Sequence, residues 1–464
     1  MSIFNSVIAA VSTPPGKGGV ALIRVSGEGA ITVSERVLFP KSKKKLSEIE
    51  SKIATRVDIY LKDKPIDDGM ATIFRAPASY TGEDTVEITC HGGMLVTKLV
   101  LESLFSAGAV PASRGEFTRR AYINGKISLT DAEAIGTLLE AKSYGQVRIS
   151  ALDARDKLTD RISKIRETLI SLMSSIYARI DYPDEDLGEL SVSEISASLV
   201  KIREDMQSLS RTYRTGKAIN EGIKTVICGK PNTGKSTLYN LILGEDAAIV
   251  TDIEGTTRDV LSDTVTLGRV LIMLSDTAGV RDFSDIDTVE RIGITRSLER
   301  IEKAELIIAV FDGSREASDE DTRLIEKIKC SSAERIALIN KSDKDPLFDR
   351  SSLGDVFPTV IEISAQHDGE ATREKLSDAI NALMTDEKVS VGEDAIISSA
   401  RQSASLERAI EHVSLAIEAI CYGMPEDAVS SDLELAIGAI SELDGKAVTD
   451  EVVTNIFKNF CVGK

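Results

Sequence analysis

The segment Gly229-Lys230-Pro231-Asn232-Thr233-Gly234-Lys235-Ser236, with Thr237 after it, follows the apolar run Thr225–Cys228 and opens a helix-forming stretch. A strand, a loop with glycine at both ends and a helix in that order make a phosphate cradle. Backbone N–H groups converge on phosphate oxygens, and the helix adds its positive N-terminal end. Lys235 reaches the outer phosphates and the Ser236 hydroxyl binds magnesium. Four further stretches follow in the order that a guanine nucleotide requires. Gly255-Thr256-Thr257 supplies a threonine for magnesium from a switch loop. In Asp276-Thr277-Ala278-Gly279 a carboxylate can act on magnesium through water, and the Gly279 N–H can sense the γ-phosphate. In Asn340-Lys341-Ser342-Asp343 the Asp343 carboxylate can accept both the N1 and 2-amino hydrogens of guanine, a donor pair that adenine lacks. Ser364-Ala365-Gln366 fits the last base-contacting loop.

How such a site would hydrolyse its nucleotide is a separate question. A Ras-type GTPase orients the attacking water with a Gln just after the D-x-x-G motif, and here that position is Val280. Another group must neutralise the charge that develops between the phosphates. Asn232 has two readings: its amide oxygen ligates a potassium ion where another GTPase accepts an arginine finger, or it tightens the loop.

These residues need elements to hold them. Thr225–Cys228, Val270–Ser275, Leu306–Phe311, Arg335–Asn340 and Val360–Ser364 are short apolar runs with helical stretches between several of them, the pattern of a mainly parallel sheet covered on both faces. Before this unit, Leu158, Ile162, Ile165, Leu169, Leu172, Ile176 and Ile180 recur at spacings of four and three, as do Ile195, Leu199, Ile202, Met206, Leu209 and Tyr213. After it the same spacing returns at Leu406, Ile410, Val413, Ile417 and Ile420, and at Val429, Leu433, Ala436, Ile440 and Leu443. Each set lines one face of a helix, and the two pairs of helices are expected to bury those faces against each other. Segment 182–190 breaks the first pair. Up to about Thr130 the β-branched runs Val20–Val25, Lys52–Leu61 and Asp84–Thr89, separated by turns that include the polar stretch 62–69, predict an α+β domain. The expected organisation is a 1–130 domain, a helical domain from 131–215 with 386–464, and an inserted Ras-like P-loop α/β domain at 216–385.

Over 464 residues, 56 Lys and Arg stand against 74 Asp and Glu, a net charge of −18. An acidic chain repels phosphate backbones, which argues against a broad nucleic-acid-coating role. Residues 1–130 are the exception, with 17 Lys and Arg against 13 Asp and Glu. Lys43, Lys44 and Lys45 lie there in a loop-like stretch; they are read as a solvated charge run and assigned no site. The cysteines, Cys90, Cys228, Cys330, Cys421 and Cys461, form no C-x-x-C pair and fit no zinc or disulfide framework. With no basic leader before the short apolar run near the start and no apolar stretch near 20 residues, a cytoplasmic protein that does not span a membrane is expected.

Motifs across the whole length add a resemblance. Residues 13–27 (TPPGKGGVALIRVSG), TGEDTVEI and HGG, residues 115–135 (GEFTRRAYINGKISLTDAEAI), AAIVTDIEGTTRD beside GKPNTGKS, DTAGVR, VERIGI and the terminal Phe460-Cys461-Val462-Gly463-Lys464 closely resemble the MnmE (TrmE) family of tRNA modification GTPases. A generic GTPase would share only the nucleotide loops. The resemblance implies a homodimer whose N-terminal domain binds formyl- or methylene-tetrahydrofolate through Arg24, Glu87, Lys126 and Lys464. It implies nucleotide contacts that extend over Thr251, Asp252, Ile253 and Glu254, potassium held by Asn232 with Thr251, Ile253 and Thr256, and magnesium held by Ser236 and Thr257. Glu290 matches the family's catalytic glutamate, which acts on the attacking water through a second water, and Cys461 matches the cysteine of the C-terminal signature, a candidate catalytic thiol.

The implied activity is potassium-stimulated conversion of GTP to GDP and phosphate. It is coupled to an FAD-dependent MnmG-type partner that adds an aminomethyl or carboxymethylaminomethyl group at carbon 5 of the wobble uridine of tRNA. Given the net charge, the tRNA is expected to be held mainly through that partner. A GTP-switched ribosome-assembly or RNA-chaperone factor is the alternative, but it would need a basic RNA-binding appendage. The chain after the nucleotide motifs is acidic and helical instead. A stand-alone folate-dependent one-carbon transferase is a third reading.

Overall fold

The computed structural model describes residues 6–181, 190–244, 262–275, 301–446, 449–458 and 460–463. The chain forms two compact units, Met1–Leu139 with Gly438–Lys464, and Glu140–Ile437.

In the first unit, β1 (Ile8–Val11), β2 (Val20–Ser26), β3 (Leu38–Pro40), β4 (Thr55–Leu61), β5 (Lys64–Phe74), β6 (Thr85–His91) and β7 (Val110–Pro111) make a sheet of order β3-β4-β5-β6-β2-β1-β7. The pairings are antiparallel except β1 with β7. Strand alternation divides the sheet into two faces. Ala21, Ile23 and Val25 of β2, Val57 and Ile59 of β4, and Val86 and Ile88 of β6 join Val100 and Leu104 of the helix Met94–Ser106 in one core. Arg24, Arg56 and Glu87 belong to the other face.

The polar stretch 62–69, expected to be a turn, is mostly strand. Only Lys62 and Asp63 turn, both at positive φ (47° and 63°), the conformation of a two-residue hairpin loop whose twist suits the strands on either side. Strand β5 then runs for 11 residues. Its polarity disguised it because half of its side chains lie on the open face. Strand β1, the short apolar run near the start, also went unassigned.

The chain's far end completes this unit. Phe457 and Phe460 pack with Leu129, Ala132 and Val453, and Val462 bridges to Arg114. The Ser12 hydroxyl donates to the Gly463 carbonyl at 2.8 Å. Gly463 sits at φ +99°, where a Cβ would lie 2.0 Å from the Val11 carbonyl oxygen, so the position requires glycine.

In the second unit, β8 (Ile223–Cys228), β9 (Ser262–Leu267), β10 (Val270–Ser275), β11 (Leu306–Asp312), β12 (Glu334–Asn340) and β13 (Thr359–Ile363) form a sheet of order β13-β12-β11-β8-β10-β9. It is parallel except for the β9–β10 hairpin. Every residue of β11 is buried, and separate apolar clusters cover the two faces. The expected helices are present as Leu152–Asp181, Val192–Arg211, Ala400–Cys421 and Glu426–Asp444. Tyr213 departs from expectation: it begins a separate helix, Tyr213–Asn220. Thr212 makes the break, its hydroxyl donating to the Leu209 carbonyl and accepting from the Ile397 N–H. Ala218 and Ile219 of that short helix pack into the core of the sheet. Among the described residues no helix is long and apolar enough to cross a membrane.

Candidate nucleotide and folate sites

The three nucleotide motifs that fall on described residues, 229–236, 340–343 and 364–366, meet where the parallel strands end. Gly229–Gly234 follows β8, and Lys235 begins the helix Lys235–Leu243. Asn232 is exposed and held at φ 65°, while Thr233 is buried. Asn340, at the end of β12 and itself buried, ties the loops together. Its amide nitrogen donates to the Thr233 carbonyl at 2.8 Å, and its amide oxygen accepts from the Ala365 N–H at 3.0 Å. A Cβ on Gly234 would lie 2.0 Å from that amide nitrogen, so the glycine makes room for the cross-tie. Phosphate loop and base loop are thereby fixed to one another.

The charged groups are placed as nucleotide chemistry demands. Lys235 rests with its ammonium on the Lys230 carbonyl, and burial lowers its pKa. An anionic phosphate would offset that desolvation. Ser364 donates to Asp343 Oδ1 at 2.6 Å and holds the carboxyl below its ordinary range, so Asp343 stays a charged acceptor. Lys341, at φ 69°, reaches Asp312 at 2.6 Å. Burial works to raise the Asp312 pKa, but hydrogen bonds from Lys341 and Ser314 outweigh it and the net shift is downward. Ser236 and Thr237, in the first turn of the helix, are exposed. Gln366 follows Ala365 on the base loop. Ser342 donates its N–H to the Ile363 carbonyl at 3.0 Å, which holds the Asn340–Asp343 turn against the end of β13.

Sequence alone did not find Asp312 or Lys230. Lys230 anchors the phosphate loop by donating to Ser318 at 2.6 Å. The remaining nucleotide and metal candidates, Thr251, Asp252, Ile253, Glu254, Gly255, Thr256, Thr257, Asp276, Thr277, Ala278, Gly279 and Glu290, lie outside the described residues, as does Lys464.

On the open face of the first unit's sheet, Arg24 and Glu87 are cross-strand partners in register. Arg24 donates from Nε at 3.0 Å and from Nη2 at 2.8 Å, both to Glu87 Oε1, leaving Oε2 for another donor. The Arg24 guanidinium lies 5.3 Å from the Tyr80 ring centre and 5.6 Å from that of Phe117. Lys126 donates to the Pro77 carbonyl at 3.0 Å, on the segment that leads to Tyr80. An arginine set against two aromatic rings and a carboxylate that keeps one oxygen for a further donor are groups that suit a flat heterocycle with paired donors.

Arg120, on the same helix as Phe117, is 1% exposed and paired with Glu83 and Glu116, while Glu83 also accepts from Ser26. This network fixes the turn that presents Tyr80. Sequence patterning missed Tyr80, Phe117 and Arg120, although the last two lie in the 115–135 motif. Cys461 is exposed on the anchored C-terminal segment, its carbonyl accepting from the Gly115 N–H. By contrast, burial pushes Cys90 up to about 11 and Cys228 up to about 12, so both remain thiols.

The family model described as GTP-binding protein TrmE N-terminus matches residues 7–126, and the MnmE helical domain model matches residues 129–461. The tRNA modification GTPase MnmE of Thermotoga maritima is 39% identical over 460 residues, covering 98% of this chain and 99% of its own. That of Clostridioides difficile is 36% identical over 463 residues, covering 99% of each. Among solved structures, Aquifex aeolicus Era bound to GDP and aluminium fluoride aligns with 41% of this chain and 66% of its own, at 22% identity and a TM-score of 0.26. A family model that spans residues 129–461, together with relatives matched over nearly their whole length, shows that this chain belongs to the MnmE (TrmE) family of tRNA modification GTPases, enzymes that hydrolyse GTP.

Proposed function

We propose that the chain is a potassium-stimulated GTPase whose cycle drives modification of carbon 5 of the tRNA wobble uridine. It does so with an FAD-dependent partner and a one-carbon unit from tetrahydrofolate. The observation that carries this reading is the pairing of two sites in one chain: a phosphate loop with Asn232 exposed at its tip, and Arg24 with Glu87 between two aromatic rings.

In the GTPase site, Asp343 and Lys235 select and hold GTP, and Ser236 with Thr257 would hold magnesium. Asn232, with groups at Thr251, Ile253 and Thr256, would hold potassium, which supplies positive charge between the phosphates where Val280 leaves no glutamine. Glu290 acts on the attacking water. In the folate site, Glu87 accepts the paired donors of the pterin, and Arg24, Lys126 and Lys464 hold the acidic tail or formyl oxygen. The chain works as a homodimer through its N-terminal domain, with 216–385 as the GTPase domain and 131–215 plus 386–464 as the helical domain. The net charge of −18 supports tRNA being carried mainly by the flavoprotein.

Reconstitution with that flavoprotein, unmodified tRNA, GTP, potassium and folate should yield a new wobble nucleoside by mass spectrometry. No new nucleoside would overturn the reading. Equal turnover in sodium and potassium at one ionic strength would remove the potassium step alone.

A further inference from the structure

The first unit has a cationic edge that the Arg24–Glu87 site does not use. Residues 36–64 carry 9 Lys and Arg against 4 Asp and Glu, in a chain that is otherwise acidic. The fold gathers most of these cations at one end of the sheet. Strand β3 is the edge strand, and Lys41 beyond its end bonds through its backbone N–H to the Arg56 carbonyl of β4. Lys43, Lys44 and Lys45 continue from there, and the Lys52 N–H joins the Ile73 carbonyl of β5 at the same end. Lys41 is paired with Asp58 and Arg56 with Asp68. Lys43, Lys44, Lys45 and Lys52 are exposed and have no acidic partner within ion-pair distance among the described residues. Four free ammonium groups on one sheet end are ready to replace the counterions of a phosphate backbone.

Beside them lies a surface that can take bases. Phe39 of β3 is 49% exposed and meets Tyr60 of β4 edge to face, with ring centres 5.0 Å apart. Both rings share the open face with Arg56. From there the register leads Arg56 to Met70 to Thr89, and one row further on Thr72 to Glu87 to Arg24. Met70 is exposed, and Thr72, Thr89 and Glu87 are partly exposed, so the face stays open along this route. Three strand spacings of about 4.8 Å, or about 14 Å, separate the edge strand β3 from Glu87 on β6, and Arg24 on β2 lies one spacing beyond.

We infer that the edge formed by Lys43, Lys44, Lys45 and Lys52 with Phe39 and Tyr60 is this chain's own RNA-binding surface. It holds the phosphate backbone of the tRNA at the sheet edge and stacks an unpaired base on the aromatic pair, so that the strand runs toward Arg24 and Glu87 on the same face. The inference rests on the tRNA and folate reading above. It changes the charge argument, because the acidic chain keeps one basic track and places it on the domain that would hold the carbon donor.

The test is binding of unmodified tRNA to the full chain across a range of salt concentrations, measured by fluorescence anisotropy. The variant K43E, K44E, K45E should bind roughly tenfold or more weakly than wild type, and its salt slope should fall by about 1 for each phosphate that is no longer neutralised. The charge reversal K327E, K329E, on exposed lysines of the second unit, should leave affinity within about twofold. F39A should weaken binding by about five- to tenfold while keeping the salt slope, because stacking is not a counterion effect. Wild-type affinity and slope in the triple variant overturn the inference, as does a wild-type chain with no tRNA affinity of its own. Equal losses toward tRNA and toward anionic phosphatidylserine vesicles overturn the assignment to RNA. Nucleoside mass spectrometry of the reconstituted wild type scores modification separately: normal modification with unimpaired tRNA binding by the triple variant removes the edge alone. Absent modification, with tRNA affinity still reduced by charge reversal, removes the modification reading alone.

Discussion

The two sites are built on opposite principles. The nucleotide site is made mainly of backbone, at the ends of parallel strands, and its loops are locked to each other through Asn340. The Arg24–Glu87 site is made of side chains standing on the face of an antiparallel sheet, and it is held by register. A loop motif is contiguous in sequence, so it can be recognised from eight residues. A sheet-face site is assembled from β2, β6, the turn before β6 and a helix after β7, and its members are scattered over about a hundred positions.

Four measurements sharpen or break this contrast. Asp343→Asn should have the largest effect. It replaces a charged acceptor of two guanine donors, each worth about 1.5–3 kcal/mol, so GTP affinity should drop by about 10²–10³-fold in nucleotide titrations. An affinity that stays within a few-fold would mean that the base is held by backbone alone. Arg120→Met tests the side-chain principle. Removing a guanidinium that is 1% exposed strands Glu83 and Glu116, and about 3–5 kcal/mol of stability should be lost by denaturant unfolding of the full chain.

Arg24→Ala is expected to be smaller and local, with folate affinity falling by about ten- to a hundredfold in calorimetry. Basal GTP hydrolysis should not change. A parallel fall in hydrolysis would show that the two sites are coupled in the resting protein. The smallest effect concerns His91, whose Nδ1 lies 2.6 Å from Asp67. The hydrogen bond to Asp67 raises its pKa, so the protonated form is favoured in the folded state. The resulting stabilisation is fully present below the unfolded value near 6.5 and fades as pH rises through the folded value. His91→Gln should flatten that part of the stability-versus-pH curve, as melting temperatures across pH 5.5–8.5 would reveal.

The same contrast explains what could be read from residues alone. Strands β8, β10, β11, β12 and β13 were legible because strands covered on both faces are continuously apolar. The long helices were legible because their apolar spacing persists over many turns. Strand β5 was not: Lys64, Asp67 and Asp68 look like loop residues until the open face that accommodates them is known. Tyr80 and Phe117 could not be tied to Arg24 from spacing, since the cross-strand register and the buried Arg120 network bring them together. Arg24 and Glu87 themselves were reached only through the family resemblance. They then proved to be paired with each other, a relation that no periodicity states.

The seating of Phe457, Phe460 and Gly463 in the first unit has a consequence for how the protein is made. Synthesis proceeds from the N-terminus, so β1 to β7 leave the ribosome early, but the cluster around Leu129 and Ala132 lacks its aromatic partners until Phe457 and Phe460 have been translated. The unit whose strands are made first waits for residues made after the whole of the second unit. A chain truncated before Phe457 would leave the ribosome with that apolar surface still open.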